Sequence, residues 1–458
     1  MLNSPKHLSF RLIPLILCPL LLSGLLVFPA FALDRPDTPH AESVLVYNID
    51  NDTVLYRKYT AEGDKLDESG KAPAIYPAST AKIMTAILAL EYYDDWNKTV
   101  TVSNDAVKNV TGNNIALKKD EIVTVRDLLH ALIVAGANDA ANVLAFDMAG
   151  NQADFVRKMN EKALELGAVN TTYTNPYGIH NANMKTTLDD TLLIALYAYR
   201  IREFTEISSL AKYEMPKTNL TAARNLHNRN YLIARNRETK YYYEGVIGMN
   251  AGSTSEAGYC LVTAIKEKGL SFLCIVMGAG ESDSGDIYSY RYAKTLLQWA
   301  ADAYAYIPLI DKSKIICELP VSLSNDTDHV TLRPANGIEK YLPADIDVAS
   351  EIDVSYTLFT DSLEAPVEAG QVAGELLLTY RGEEVGRIDL VTTGEVDRTE
   401  FLYVLKKIEG VVTSRPFIAA AVSFLVLIVA YLLLVSRQRA QRSRYAPRRR
   451  GPHNRPRR

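Results

Sequence analysis

Ser79 and Lys82, in the stretch "PASTAK", are the first residues of this chain whose types and spacing suggest chemistry. A hydroxyl is a weak nucleophile until a base takes its proton, and a desolvated lysine is such a base. At positions i and i+3 near a helix start, the two side chains share one face. The helix N-terminus adds backbone N–H groups that favour developing negative charge. Ser-x-x-Lys alone is a weak signal, because an N-cap serine followed by a surface lysine gives the same pattern. Asn138 and Asp139 follow in "ALIVAGANDAANVLA", a strongly apolar helical context. A buried asparagine there is either a satisfied structural amide or a group that holds the lysine and a substrate amide. A third stretch, "GMNAGSTSEAGYC" at residues 248 to 260, is a Gly-rich turn feeding a strand.

The elements that must position these residues are legible as patterns. "SVLVYNIDNDTVLYRK" reads as two strands joined by an Asn-Asp turn. "STAKIMTAILALEYYD" has apolar residues at helical spacing, which puts Ser79 at a helix start. "VTVRDLLHALIVAGANDAANVLAFDMAG" is helix broken near Gly136. "NQADFVRKMNEKALELG" is a helix closed by Gly167, and "TTLDDTLLIALYAYRI" is another with Thr187 or Asp189 near its start. After residue 244 the texture becomes strand, turn, strand, and "YSYRYAKTLLQWAADAY" closes the region with a helix. Early and late strands around a block of helices describe an α+β domain over 33–309, with one antiparallel sheet and helices beside it. From about Ile310 short alternating runs with turn signals predict a small all-β domain over 310–402, followed by a linker at 403–416.

Both ends point to a membrane. Lys6 and Arg11 precede an apolar run, and "AFA" at residues 30 to 32 is a small-x-small cleavage site, so 1–32 reads as an export signal. "FIAAAVSFLVLIVAYLLLV", residues 417–435, carries no charge and is long enough to span a bilayer as a helix. The Arg-rich segment 436–458 follows at once, which places the tail in the cytoplasm and the rest of the chain outside. The net charge is −4. Setting aside ten tail arginines with Lys6 and Arg11 leaves an ectodomain near −16, which argues against nucleic acid as a partner. Cys260, Cys274 and Cys317 remain in the mature chain. A Cys260–Cys274 bridge across a hairpin is conceivable, and buried thiols acting as small hydrophobes are the preferred reading.

Taken together, the motifs resemble the low-molecular-mass penicillin-binding proteins, the serine-type D-alanyl-D-alanine carboxypeptidases (peptidase S11-like), with their Ser-x-x-Lys, Ser-x-Asn and Lys-Thr-Gly pattern. "YPASTAKIMTAILALE", "GANDAANVLA", "TNPYGIHNANMKTTLDD", "RNLHNRNYL", "GSTSEAGYCLVTA" and "APVEAGQVAGELLLTYRGEEVG" each look like a family segment, in family order. The resemblance implies a serine β-lactamase/transpeptidase-like domain, then a small all-β domain and one transmembrane helix. It implies that Ser79 attacks the carbonyl between two D-alanines of a peptidoglycan stem peptide, with Lys82 as general base. Asn138 would contact Lys82 and the substrate amide. Asn250, Gly252 and Ser253 would line the substrate, with the N–H groups of Ser79 and Ser253 as oxyanion hole. Arg291 matches a family arginine near the substrate carboxylate, although a lone helix arginine is otherwise a surface charge. β-Lactams are implied as acylating ligands. No metal and no cofactor are expected.

Two departures stand against the pattern. Gly136 replaces the serine of Ser-x-Asn, and Asn250-Ala251 replaces the lysine and threonine of Lys-Thr-Gly. One electrostatic contributor is typically worth a few kcal/mol of transition-state stabilisation. Two readings therefore follow: an active carboxypeptidase with a modified strand, or a catalytically impaired peptidoglycan-binding or scaffold protein on the same fold. β-Lactam hydrolysis is disfavoured, because no segment supplies a deacylating glutamate.

Overall fold

A computed structural model describes residues 34–60, 66, 72–235 and 239–444. The export signal and residues 445–458 of the tail lie outside the described residues. The described chain forms two units. One runs to Ala305 and takes in Tyr341–Asp345; the other comprises Tyr306–Lys340 and Ile346–Arg458.

The first unit is built on a five-stranded antiparallel sheet. Its order is Thr53–Lys58, Ser43–Asn48, Leu270–Ala279, Gly258–Glu267 and Val246–Thr254. The early hairpin and the late strands thus join in one sheet, and Val246–Thr254 is left as an edge. Both faces of the sheet are covered. Leu273, Ile275 and Met277 pack with the helices that carry Met84, Leu128 and Leu144, whereas Phe272, Cys274 and Val276 pack with Leu296, Leu297 and Ala300 of the helix Tyr288–Ala303. A strand buried on both faces reads as a continuous apolar run, as "LSFLCIVMGA" does. Cys260 belongs to the first of these cores and Cys274 to the second, so they lie on opposite faces and both thiols are free. Burial pushes the Cys260 thiol up to about 12.

The helices begin where their capping residues dictate. Thr124, Asn151 and Thr187 each accept from the backbone N–H three residues on, of Asp127, Asp154 and Asp190. The helices Val125–Ile133 and Asn138–Ala149 are separated at Gly136, whose φ of +62° a residue with a Cβ adopts only under strain. A short hairpin, Lys212–Met215 with Arg224–His227, has no counterpart in the sequence reading. It is tied down by one buried ion pair. Glu121 has no exposed surface; its Oε1 accepts from Arg224 Nη2 at 2.8 Å and from Thr218 Oγ1 at 2.7 Å. Burial raises the Glu121 carboxyl, but the hydrogen bonds from Thr218 and Arg224 outweigh it and hold the group below its usual value.

The second unit carries a six-stranded sheet. Its order is Ile352–Leu358, Val372–Tyr380, Glu383–Thr392, His329–Pro334, Cys317–Ser322 and Leu363–Glu364. The hairpin between Tyr380 and Glu383 closes on Arg381 and Gly382, both at positive φ, as a two-residue turn of the primed class requires. The segment 403–416, read from sequence as a linker, is helical instead: Glu400–Val412 forms a helix. Phe401, Val404, Leu405, Ile408, Val411 and Val412 recur at helical spacing, which is why it folds so, and all six are exposed. A second helix, Arg415–Arg444, follows, and its stretch Arg415–Ala440 is long and apolar enough to cross a membrane. It extends beyond the expected 417–435 at both ends.

Removing one partner of the Glu121–Arg224 pair strands a charge out of water, which costs about 3–5 kcal/mol. Arg224→Ala is therefore expected to lower the thermal midpoint clearly at pH 7. Because the folded Glu121 carboxyl lies below its unfolded value, its contribution is present above the unfolded pKa and lost as pH falls through the folded one. The wild-type advantage in melting temperature should shrink in acid; an equal difference at pH 7 and in strong acid would contradict this account.

Candidate active site

Ser79 lies in one turn of 3₁₀ helix, Ala78–Ala81, that leads directly into the α-helix Lys82–Tyr92. The lysine is thus the first residue of the α-helix proper. Its side chain has no exposed surface. Lys82 Nζ lies 2.9 Å from Ser79 Oγ and donates to the carbonyl of Tyr177 at 2.7 Å. Burial, and then the charge of Arg229, lower its pKa to about 7. A neutral amine next to a hydroxyl is the arrangement that activates a serine.

The Tyr177 carbonyl is held in place by a tight loop. Asn175 Oδ1 accepts from the N–H groups of Gly178 at 2.8 Å, Ile179 at 3.2 Å and Tyr177 at 3.3 Å. Thr85, one turn beyond Lys82, donates to the Pro176 carbonyl at 2.5 Å. Gly178 is obligatory here, since a Cβ on it would lie 1.8 Å from the Ala78 carbonyl oxygen. The neighbouring Ala78 pays for this contact with a φ of +47°, left-handed for a residue with a side chain.

The edge strand closes the other side. A Cβ on Gly252 would meet Ser79 Cβ at 2.2 Å and Ser79 Oγ at 2.7 Å, so the strand backbone presses on the serine. Asn250 shares the sheet face of Gly252 and is buried, and its Oδ1 has no hydrogen-bond partner. Ala251 is buried in the opposite core with Leu232, Tyr241 and Tyr290. Ser253 is exposed, whereas Thr254 Oγ1 accepts from Ala257 N–H at 3.0 Å and so shapes the following turn.

Asn138 sits at the start of its helix and is buried. Its Nδ2 donates to the Thr111 carbonyl at 2.7 Å, and its Oδ1 has no partner. The expected contact with Lys82 is therefore not made; the amide presents an open acceptor instead. Asp139 next to it is buried and accepts from Leu117 N–H at 2.9 Å and Ile115 N–H at 3.2 Å, which pins the preceding loop against the helix. Arg291 is 58% exposed, and its Nη1 lies 3.4 Å from Asp286. Among the described residues no group of three or more His, Cys, Asp or Glu forms a metal site.

The profile of the D-alanyl-D-alanine carboxypeptidase family, peptidase S11, matches residues 34–281, over half of the chain. The chain belongs to that family. The profile of the penicillin-binding protein 5 C-terminal domain matches residues 304–398. The chain is 27% identical to the D-alanyl-D-alanine carboxypeptidase DacF of Bacillus subtilis over 81% of its own length and 89% of that protein. It is 31% identical to DacB2 of Mycobacterium tuberculosis over 60% and 86%. Among solved structures, penicillin-binding protein 5 of Haemophilus influenzae superposes with a TM-score of 0.53 at 25% identity, covering 79% of this chain and 99% of that one.

Four positions that surround the pair were not assigned a role from sequence. Asn175, Tyr177 and Gly178 belong to "TNPYGIHN", where an Asn-Pro-x-Gly pattern signals turn chemistry but not what the turn is for. Arg229 is the fourth. Gly252 is the position most exposed to test. Gly252→Ala must displace either the strand or Ser79, and misplacement of a reacting atom by about 1 Å costs on the order of 100-fold in rate. Acylation of this variant by a fluorescent penicillin is expected to slow by about that factor while the thermal midpoint shows a folded protein; an unchanged rate would refute the close contact.

Proposed function

We propose that this chain is a D-alanyl-D-alanine carboxypeptidase in which Ser79 is the nucleophile and Lys82 the general base, acting on peptidoglycan stem peptides. The observation that carries this reading is the Ser79 Oγ–Lys82 Nζ distance of 2.9 Å with the amine fully buried. Lys82 takes the proton of Ser79 as Oγ attacks the carbonyl of the penultimate D-alanine. The same proton passes to the leaving nitrogen, and the terminal D-alanine departs. Water then cleaves the serine ester, with Lys82 again as base. Backbone N–H groups of Ser79 and Ser253 receive the developing oxyanion. The open Oδ1 of Asn138 accepts the substrate amide N–H, which is how a buried, unpaired acceptor is put to use. Asn250 and Gly252 line the substrate side. β-Lactams acylate the same serine.

The chain is anchored in this reading by the helix Arg415–Arg444, with the catalytic unit outside and the arginine-rich end in the cytoplasm. The exposed apolar face of Glu400–Val412, which immediately precedes that span, lies along the bilayer interface. The impaired-scaffold alternative loses ground because the nucleophile, the base and the strand glycine are all in contact.

The reaction requires neutral Lys82. Its pKa of about 7 places the rise of acylation rate with pH near neutrality, with loss of activity below as the amine becomes charged. Release of D-alanine from a pentapeptide should follow that limb and vanish in Ser79→Ala. A purified protein that neither releases D-alanine nor takes up a fluorescent penicillin at Ser79 at any pH would overturn the reading. Asn250→Lys with Ala251→Thr measures what the changed strand costs: a large gain in kcat/KM marks an impaired strand, no gain an adapted one.

A further inference from the structure

A cleft beside Ser79 leads from the nucleophile to a charged pair that the reaction scheme does not use. Pro77, Ala78, Gly178, His180, Met184 and Thr254 line it. Contact fixes its place next to the serine: a Cβ on Gly178 would lie 3.1 Å from Ser79 Cα, and one on Gly252 would lie 2.2 Å from Ser79 Cβ. Thr254 is two residues beyond Gly252 on the same strand, hence on the same sheet face and about 7 Å further along. The turn that follows carries Glu256, whose Oε2 lies 3.8 Å from His180 Nδ1. That pair joins the strand hairpin to the loop of Gly178. Both sides are braced. Thr254 Oγ1 accepts from Ala257 N–H at 3.0 Å, and Cys260 Sγ donates to the Tyr76 carbonyl at 3.7 Å. Asn175 Nδ2 donates to the carbonyl of Ile179, the residue before His180, at 2.9 Å. The Tyr76 ring meets the His180 ring edge-on, with centroids 4.9 Å apart.

A peptide acylating Ser79 leaves it in two directions along the strand. Asn250 takes the place of a lysine whose charge suits a terminal carboxylate, so the leaving D-alanine lies on that side of Gly252. The acyl part then runs the other way, past Thr254 toward Glu256. The residue that precedes the two D-alanines is one step of chain, about 3.8 Å, from the acylated one, and so comes beside the cleft. A side chain with an apolar stem and an ammonium at its end fits what the cleft offers. The stem packs on Tyr76, His180 and Met184, and the charged head stays at the rim with the Glu256 carboxylate. An anionic end would meet a like charge there. We propose that Glu256 is the specificity residue for the position before the two D-alanines, and that it selects a diamino acid there by its side-chain ammonium, with His180 holding the carboxylate over the cleft. The proposal rests on the reading of Ser79 as the acylated residue.

Binding separates this proposal from the catalytic reading. Full-length Ser79→Ala protein in detergent would be titrated calorimetrically with Nα-acetyl-lysyl-D-Ala-D-Ala, whose side-chain amine is free, and with its Nα,Nε-diacetyl form. The free amine should bind about 3- to 10-fold more tightly. Glu256 is 44% exposed, so water screens the pair and keeps the gain at the lower end for a charge-assisted hydrogen bond. Glu256→Gln should bring the two peptides level, and Glu256→Asp should keep part of the difference. Glu256→Lys should turn the preference toward an Nε-succinyl peptide, which ends in a carboxylate; a merely structural role for Glu256 would not do so. Equal binding in the parent, a preference that survives Glu256→Gln, or binding of neither peptide overturns the proposal. In the chain with Ser79 intact, the same ratio should appear in kcat/KM for D-alanine release. If the parent discriminates through Glu256 but native protein releases no D-alanine and is never acylated at Ser79, the specificity assignment stands and the catalytic reading falls. D-Alanine release with equal kcat/KM from both peptides gives the converse.

Discussion

The site depends on a lysine amine kept out of water. Removing an ammonium from solvent disfavours its charge, and Lys82 is lowered to about 7 chiefly for that reason. The same burial demands a polar partner, because an unsatisfied amine in an apolar core is costly. The Tyr177 carbonyl and Ser79 Oγ meet that demand. One group therefore couples three elements: the 3₁₀ turn, the helix that starts at Lys82, and the loop organised by Asn175. The left-handed Ala78 and the contact at Gly178 follow from forcing the turn and the loop close enough to share that amine.

The edge strand obeys a different kind of constraint. Its contact with Ser79 is made by backbone, and a Cβ at Gly252 would overlap the serine by more than thermal motion absorbs. Steric exclusion of that sort is nearly all-or-none. A side-chain charge on the same strand is worth a few kcal/mol and can be delivered from any direction within reach. The chain keeps the glycine and changes the two residues before it. A strand of this kind positions the nucleophile first and carries charge second.

What sequence makes legible follows the range of each interaction. Caps such as Thr187, the break at Gly136 and the Ser79–Lys82 spacing are local, and local pattern suffices to read them. The antiparallel sheet was legible; its burial on both faces was not read, although "LSFLCIVMGA" is apolar without alternation. The Tyr177 carbonyl bonds a lysine 95 residues earlier, through a backbone atom that every residue type possesses, so no residue identity announces it. The Lys212–His227 hairpin is short and polar, and is held by a buried pair whose partners lie 103 residues apart. The segment 403–416 was expected as a linker; the helical period of Phe401, Val404, Leu405, Ile408, Val411 and Val412 marks the helix Glu400–Val412, and the exposure of all six is seen only in the structure. Arg291 is 58% exposed with its Nη1 3.4 Å from Asp286, a pairing that its place in "YSYRYAKTLL" does not announce.

A strand lysine is a point charge on a flexible stem and can serve both a carboxylate and a proton network. Asn250 supplies neither that charge nor a second amine, and Gly136 offers no hydroxyl to relay a proton. Proton transfer is therefore left to Lys82, whose pKa burial lowers to about 7 and whose Nζ lies 2.9 Å from Ser79 Oγ.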